Sequence, residues 1–191
     1  MLVAALSPPS PPSADHALAR RAALGDRRAF ADIVYRHGPG MFRYATTMLD
    51  GNVHDAEDAV QNALTKAWQH LPQFRAEASL RTWLFRITAN EVLALRRRRR
   101  PIPLDDQLLE PMRAPVRDQP EQRLDEEELR AALTAALNEL PWRQRACWIL
   151  AEYEEMTYEQ IAEALDTQVT VVRGQLHRAR RTLATRMARW K

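Results

Sequence analysis

Ala56, Ala59, Val60, Ala63, Leu64, Ala67, Trp68 and Leu71 recur at steps of three and four residues, the spacing of one helix face. The residues between them, Asp55, Asp58, Gln61, Asn62, Thr65 and Lys66, fall on the opposite, polar face. A loop around Phe74 follows. The next helix carries Leu80, Trp83, Leu84, Ile87 and Leu95 inward, with Arg86, Asn90 and Arg97 on a separate stripe. It runs into Arg96, Arg97, Arg98, Arg99 and Arg100.

Upstream, a helix begins near Asp15 with Leu18, Ala19 and Ala22 inward. Gly25-Asp26 breaks it, and Asp26 suits the cap of the next helix. Phe30, Ile33 and Val34 give a buried stripe as far as His37. Gly38-Pro39-Gly40 then reads as a turn, after which Phe42, Ala45, Met48 and Leu49 form a new apolar face. Asp50-Gly51-Asn52 ends that face. Asn52 caps the long helix, with Asp55 in a first turn where negative charge suits the helix dipole.

Pro101, Pro103, Pro111, Pro115 and Pro120 interrupt any helix, so residues 101–120 read as a flexible linker. It separates two helical domains, 15–100 and 121–191. The Pro- and Ser-rich start, residues 1–14, reads as a disordered extension. Beyond the linker, Leu129, Leu133, Ala136, Leu137 and Leu140 mark the inner face of a helix. Pro141 opens another, carrying Ala146, Ile149, Leu150 and Tyr153. Thr157-Tyr158-Glu159-Gln160 is a capping box for a short helix with Ile161, Ala162 and Leu165 inward. Asp166-Thr167-Gln168 makes a tight turn, and Val169, Val172, Leu176, Ala179 and Leu183 face inward from a last long helix. A short helix, a turn and a longer basic helix form a helix-turn-helix pattern. The expected fold is all-α, two small helical domains on one tether.

Composition sharpens this picture. The chain has 191 residues, 46% of them hydrophobic, and only 5 glycines, which favours helices over sheets. A net charge of +3 hides acidic clusters at 55–58 and 121–128 and arginine clusters at 96–100 and 173–189. Local basic patches, not the sum, govern affinity for nucleic acid. Cys147 is the only cysteine, which rules out an intrachain disulfide and a thiolate metal site and favours a reducing compartment. Met1 to Leu6 lacks the basic start of a signal peptide, and no apolar run approaches the ~20 residues that span a bilayer. A cytoplasmic protein without membrane insertion is expected. The histidines are scattered, and no phosphate loop, HExxH or Gly-x-Ser-x-Gly occurs. Neither catalysis nor a metal or other cofactor is expected.

Three surfaces carry candidate chemistry. On the last helix Thr170, Val171, Arg173, Gly174, Gln175, His177 and Arg178 point outward, where Arg173 could bind a guanine edge bidentately. Arg178, Arg180 and Arg181 suit phosphates, although a plain hairpin with a solvated basic face would carry similar residues. Phe74, beside the arginine-rich helix, either stacks an unpaired base or belongs to the core. The face of Asp55, Asp58, Gln61, Asn62 and Thr65 uses poor helix formers mid-helix, where a merely solvated face favours Glu and Lys. That choice points to an interaction surface.

Several segments together resemble a known family. Asp55-Ala56-Glu57-Asp58-Ala59-Val60-Gln61, Phe74-Arg75, Thr82-Trp83-Leu84-Phe85-Arg86-Ile87-Thr88-Ala89-Asn90 and the arginine run are similar to region 2 of the extracytoplasmic-function sigma factors of bacterial RNA polymerase. Leu140-Pro141, Thr157-Tyr158-Glu159-Gln160-Ile161-Ala162 and Leu176-His177-Arg178-Ala179-Arg180-Arg181 resemble their region 4. The resemblance implies that Asp55, Asp58, Gln61, Asn62 and Thr65 bind the clamp helices of the polymerase largest subunit, with the flap as a second contact of the polymerase core. It implies that Phe74, Arg75, Ala76, Glu77 and Ser79 hold a base flipped from the −10 element. Arg86, Asn90 and Arg97 would contact the upstream edge of that element. Thr170, Val171, Arg173, Gly174, His177, Arg178 and Arg181 would sit at the −35 element. An anti-sigma factor, often membrane-anchored in this family, would hold the protein inactive. A helix-turn-helix regulator acting without polymerase is the alternative reading.

Overall fold

The computed structural model describes residues 12–75, 78–99 and 126–188. Residues 1–11 of the expected extension 1–14, Ala76, Glu77 and the linker 101–120 lie outside the described residues, while residues 12–14, expected to be disordered, form the first turn of a helix. Among the described residues there are eight α-helices and no strand. The first half, called region 2 after the resemblance, holds α1 (Pro12–Ala23), α2 (Arg27–Met48), α3 (Val53–His70) and α4 (Leu80–Arg99), with a short 3₁₀ turn at Leu71–Gln73 before α4. The second half, called region 4 on the same ground, holds α5 (Glu126–Asn138), α6 (Trp142–Glu152), α7 (Tyr158–Ala164) and α8 (Val169–Arg186).

Local chemistry sets most of these bounds. Asp26 caps α2 by accepting the Arg28 and Ala29 backbone N–H groups at 2.9 and 3.1 Å. Asn52 caps α3 by accepting the Asp55 N–H at 3.1 Å. Each such cap contributes about 1 kcal/mol by satisfying an otherwise orphaned donor. Gly51 ends the α2–α3 turn at φ +83°, which glycine adopts without a Cβ penalty. On α3, Ala56, Ala59, Ala63 and Ala67 are all fully buried, and their small side chains let α2 and α4 approach the backbone closely.

Three expectations need correction. Gly38-Pro39-Gly40 is not a turn, because α2 runs unbroken through Pro39. Proline removes one helix hydrogen bond and crowds the preceding turn, costing ~3 kcal/mol. Burial on both sides outweighs it: Ala29, Ile33, Met41, Tyr44, Ala45 and Met48 share one inward face only if the helix continues. Leu129, expected inward, is 42% exposed, since α5 packs through its later turns, at Leu133, Ala136 and Leu137. On α4, Trp83, Ile87 and Leu95 are half-buried, while Phe85, Thr88, Ala89 and Val92 are buried. That helix is covered on more than one side, by α2 and α3 and also by α7.

The α4–α7 contact, with α2 packed on α6, joins the two regions. One cluster of buried side chains runs from Ala19 in α1 to Leu176 in α8. A smaller cluster, Ala136, Leu137, Leu140, Ala179 and Leu183, ties α5 to α8. The sequence suggested two separate bodies on a tether, whereas in the structure they lie against one another.

Candidate nucleic-acid and partner interfaces

The helix-turn-helix is built as its sequence dictates. Thr157 accepts the Gln160 backbone N–H at 3.3 Å, and the Gln160 side chain accepts the Thr157 N–H at 2.9 Å. Asp166 takes the left-handed turn position at φ 49°, which a short polar side chain tolerates. Val172, Leu176, Ala179 and Leu183 are buried, so the rest of α8 is left outward. Thr170, Val171, Arg173, His177, Arg178 and Arg181 are exposed, and Gly174 is half-buried. A Cβ on Gly174 would meet the Arg178 guanidinium at an ordinary 3.5 Å, so no close approach demands glycine there. Arg180, grouped with the phosphate contacts in the sequence, instead bonds Glu152 on α6 at 2.8 Å.

On α4, Arg86, Asn90 and Arg97 are exposed, as is Arg75 in the preceding loop. The Ser79 hydroxyl accepts the Thr82 backbone N–H at 3.0 Å and so serves the first turn of α4. Phe74 is half-buried, its ring centroid 5.2 Å from that of Trp83 and 6.4 Å from that of His16. The ring is a packed edge of region 2, not a free platform.

On α3, Asp58, Gln61, Asn62 and Thr65 are exposed and share a face. Asp55 does not join them: it is 3% exposed. It stands one turn before Ala59, at the edge of the alanine stripe, and the first turn of α3 carries it inward. Its inclusion in a partner surface is corrected on that ground.

A further cluster was invisible in the sequence. Glu154, in the turn after α6, is 3% exposed. Its Oε1 accepts from Arg43 Nε and Nη2 at 3.0 and 2.6 Å, and its Oε2 from Arg81 Nη2 at 2.7 Å. The Arg81 guanidinium also lies 5.7 Å from the centre of the Phe85 ring. Arg145 on α6 is 2% exposed and spans the same junction. It donates to Asp50 Oδ1 at 2.6 Å, to the Thr47 carbonyl at 3.2 Å and to the Asn138 carbonyl at 2.7 Å. The partners of Glu154 stand 111 and 73 residues away, beyond any helical or turn periodicity. The available signal was an arginine set inside apolar runs, as in Met41-Phe42-Arg43-Tyr44 and Leu80-Arg81-Thr82-Trp83.

Cys147 is buried, and burial pushes its thiol up to about 12, so it stays a thiol at neutral pH. Among the described residues no group of His, Cys, Asp and Glu could hold a metal ion, and no helix is long and apolar enough to cross a membrane.

Residues 33–102 match the family model for Sigma-70 region 2, and residues 130–183 match that for Sigma-70, region 4. The RNA polymerase sigma factor NccH of Alcaligenes xylosoxydans is 34% identical over 180 residues, covering 90% of this chain and 94% of the relative. The ECF RNA polymerase sigma factor SigE of Mycolicibacterium smegmatis is 33% identical, covering 87% of this chain and 66% of the relative. Among solved structures, the sigma factor RpoE of Bartonella quintana, in complex with the anti-sigma factor NepR, superposes with a TM-score of 0.65 at 27% identity. That match covers 83% of this chain and 96% of the other. With both sigma regions matched in order and a helix-turn-helix in the second, the chain belongs to the extracytoplasmic-function sigma factors of the sigma-70 family.

Proposed function

We propose that this protein directs bacterial RNA polymerase to promoters by gripping enzyme and DNA through three separate faces. The observation that carries this reading is the exposure, in one chain, of two basic reading faces on α4 and α8 and of an uncharged-to-acidic face on α3. Asp58, Gln61, Asn62 and Thr65 bind the polymerase clamp. Arg86, Asn90 and Arg97, with Arg75, contact the −10 element, where trapping unpaired bases favours strand opening. Thr170, Val171, Arg173, Gly174, His177, Arg178 and Arg181 present α8 to the major groove of the −35 element. The protein makes and breaks no covalent bond; its work is positioning. It acts in the cytoplasm, and a relative captured with an anti-sigma factor supports control of this chain by a similar inhibitor.

In-vitro transcription with purified core polymerase tests the proposal. The chain is expected to co-purify with core enzyme and confer initiation at a defined promoter set. Asp58→Arg is expected to abolish polymerase association, because it replaces the one acid of that α3 face with a cation. Arg173→Ala is expected to cost ~1–3 kcal/mol and relax selectivity at one base position. A chain that fails to associate with core polymerase when purified free of inhibitors would end this reading.

A further inference from the structure

The five arginines of α8 divide into two groups. Arg173, Arg178 and Arg181 stand outward on the helix. Arg180 and Arg186 are each held by an acid from elsewhere in region 4. Arg180 meets Glu152, the last residue of α6, at 2.8 Å, and Arg186 meets Glu139, just after α5, at 2.7 Å. Spacing alone does not foretell this division. Arg173, His177 and Arg180 follow one another at four and three residues, so Arg180 continues the stripe of two outward-facing residues.

The hold on Arg180 is directional. Its Nε and Nη2 both donate to Glu152 Oε1, at 3.0 and 2.8 Å. Glu152, and after it the Tyr158 side chain at the start of α7, hold the guanidinium above its usual pKa. One side chain of α8 is thus tied to α6 and α7, both of which pack against that helix. The two side chains keep 51% and 39% of their surface exposed, where an ion pair contributes only ~0.2–1 kcal/mol to stability. What the pair can set is geometry.

α8 needs such a constraint. A single row, Val172, Leu176, Ala179 and Leu183, seats it on the rest of region 4. Apolar packing has no preferred direction, and the row shrinks to one methyl group at Ala179, the residue beside Arg180. Two guanidinium bonds fix the angle of the helix where the row grips least. A rotation of about 20° about the helix axis moves a side-chain tip ~6 Å from that axis by ~2 Å. That shift is enough to break a bidentate contact between Arg173 and a base edge.

We propose that Arg180 is a positioning residue for −35 recognition. Tied to Glu152, it sets the rotation of α8 and so aims Arg173 and His177 at base edges, and it makes no phosphate contact of its own. This inference rests on the promoter-binding reading and deepens it at one face. The opposite assignment, Arg180 as a phosphate contact held back by Glu152, requires changes of opposite sign.

The test uses holoenzyme assembled from core polymerase and the full-length chain. It is titrated with a promoter at which it initiates, and with a copy whose −35 element is scrambled, at several KCl concentrations. Arg178→Gln, at an outward arginine, is the reference. It is expected to flatten the slope of log affinity against log salt by ~0.9 and to leave the ratio of the two affinities nearly unchanged. Arg180→Ala and Glu152→Ala are each expected to lower that ratio by about 10-fold, with the slope unchanged. Glu152→Gln retains an acceptor oxygen and is expected to keep the ratio within about 3-fold of the native chain. A slope steeper by ~0.9 in Glu152→Ala, or flattened in Arg180→Ala as in Arg178→Gln, would overturn the proposal, because Arg180 would then be reaching phosphate. An unchanged ratio in both alanine variants would overturn it as well. Melting of the variants is expected to stay within about 3 °C of the native chain, and a larger fall would reduce Arg180 to a fold contact. In the free chain, without polymerase, Glu152→Ala is expected to shift the backbone amide resonances of Arg173 and His177. Unmoved resonances would refute the tie. If they shift but the chain never assembles with core polymerase, the promoter reading fails and the tie remains.

Discussion

Region 2 and region 4 are both four-helix units, yet they solve burial differently. Region 2 fills its interior mostly with uncharged side chains such as Ala59, Ala63, Leu84 and Phe85, with Asp55 the one acid among its buried residues. Its arginines at the junction, Arg43 and Arg81, keep 43% and 29% of their side chains exposed. Region 4 buries two full charges, Arg145 and Glu154, and their ion-pair partners all lie in region 2. Its private cluster, around Ala136, Leu137, Leu140, Ala179 and Leu183, is the smaller of the two. The difference teaches that the two regions share one apolar core, while the buried charges of region 4 are paired only by docking on region 2. A charge buried at a junction costs little when the partner is present and much when it is absent.

The comparison can be broken most forcefully by emptying equivalent core positions. Leu84→Ala removes a fully buried side chain on α4 and is expected to cost about 3–5 kcal/mol in urea unfolding. Leu183→Ala, in the smaller cluster and 6% exposed, is expected to cost less, about 2–3 kcal/mol. Equal losses would remove the distinction between a large and a small core. Next in size is Arg145→Met. It leaves the Thr47 and Asn138 carbonyls without that donor and is expected to cost about 2 kcal/mol, felt first in the tryptophan fluorescence of region 4. A loss spread evenly over both regions would mean that Arg145 is no special debt of region 4.

Caps sharpen the contrast more gently. Thr157→Ala breaks the capping box of the short α7 and is expected to cost about 1 kcal/mol, read as increased amide exchange across α7. The smallest effect concerns pH. Burial raises the Asp15 carboxyl, but hydrogen bonds and charge from His37 and Arg36 outweigh it and hold it below its usual 3.8. A depressed carboxylate stabilises the fold above its unfolded pKa, and that contribution fades as pH falls through the folded value. The docking of α1 on α2 is therefore expected to weaken below about pH 4 in the native chain. Asp15→Asn is expected to flatten this acid dependence, as followed by thermal melts across pH 3–6.

Much of the fold was legible locally. Asp26, Asn52 and Thr157 cap the helices that their positions foretold, and Asp166 turns left-handed between α7 and α8. The exposed residues of α8 are those the apolar spacing left outward. Pro39 and Asp55 misled because each obeys a neighbour that the chain reaches only after folding. The packing of Ile33 and Met41 carries a helix through a proline, and the alanine stripe of α3 draws an aspartate inward. Phe74 settled as a packed ring because Trp83 came to lie beside it.

Periodicity and capping chemistry act over three or four residues, so the sequence alone determined the all-α class, most helix bounds and the helix-turn-helix, while it broke α2 in two at Pro39. The meeting of Arg43, Arg81 and Glu154 needed the tertiary structure, because charge pairing at long sequence separation leaves no repeat along the chain. Whether the two regions stand apart or together was decided there as well, since a buried carboxylate finds its guanidiniums only after the helices have packed.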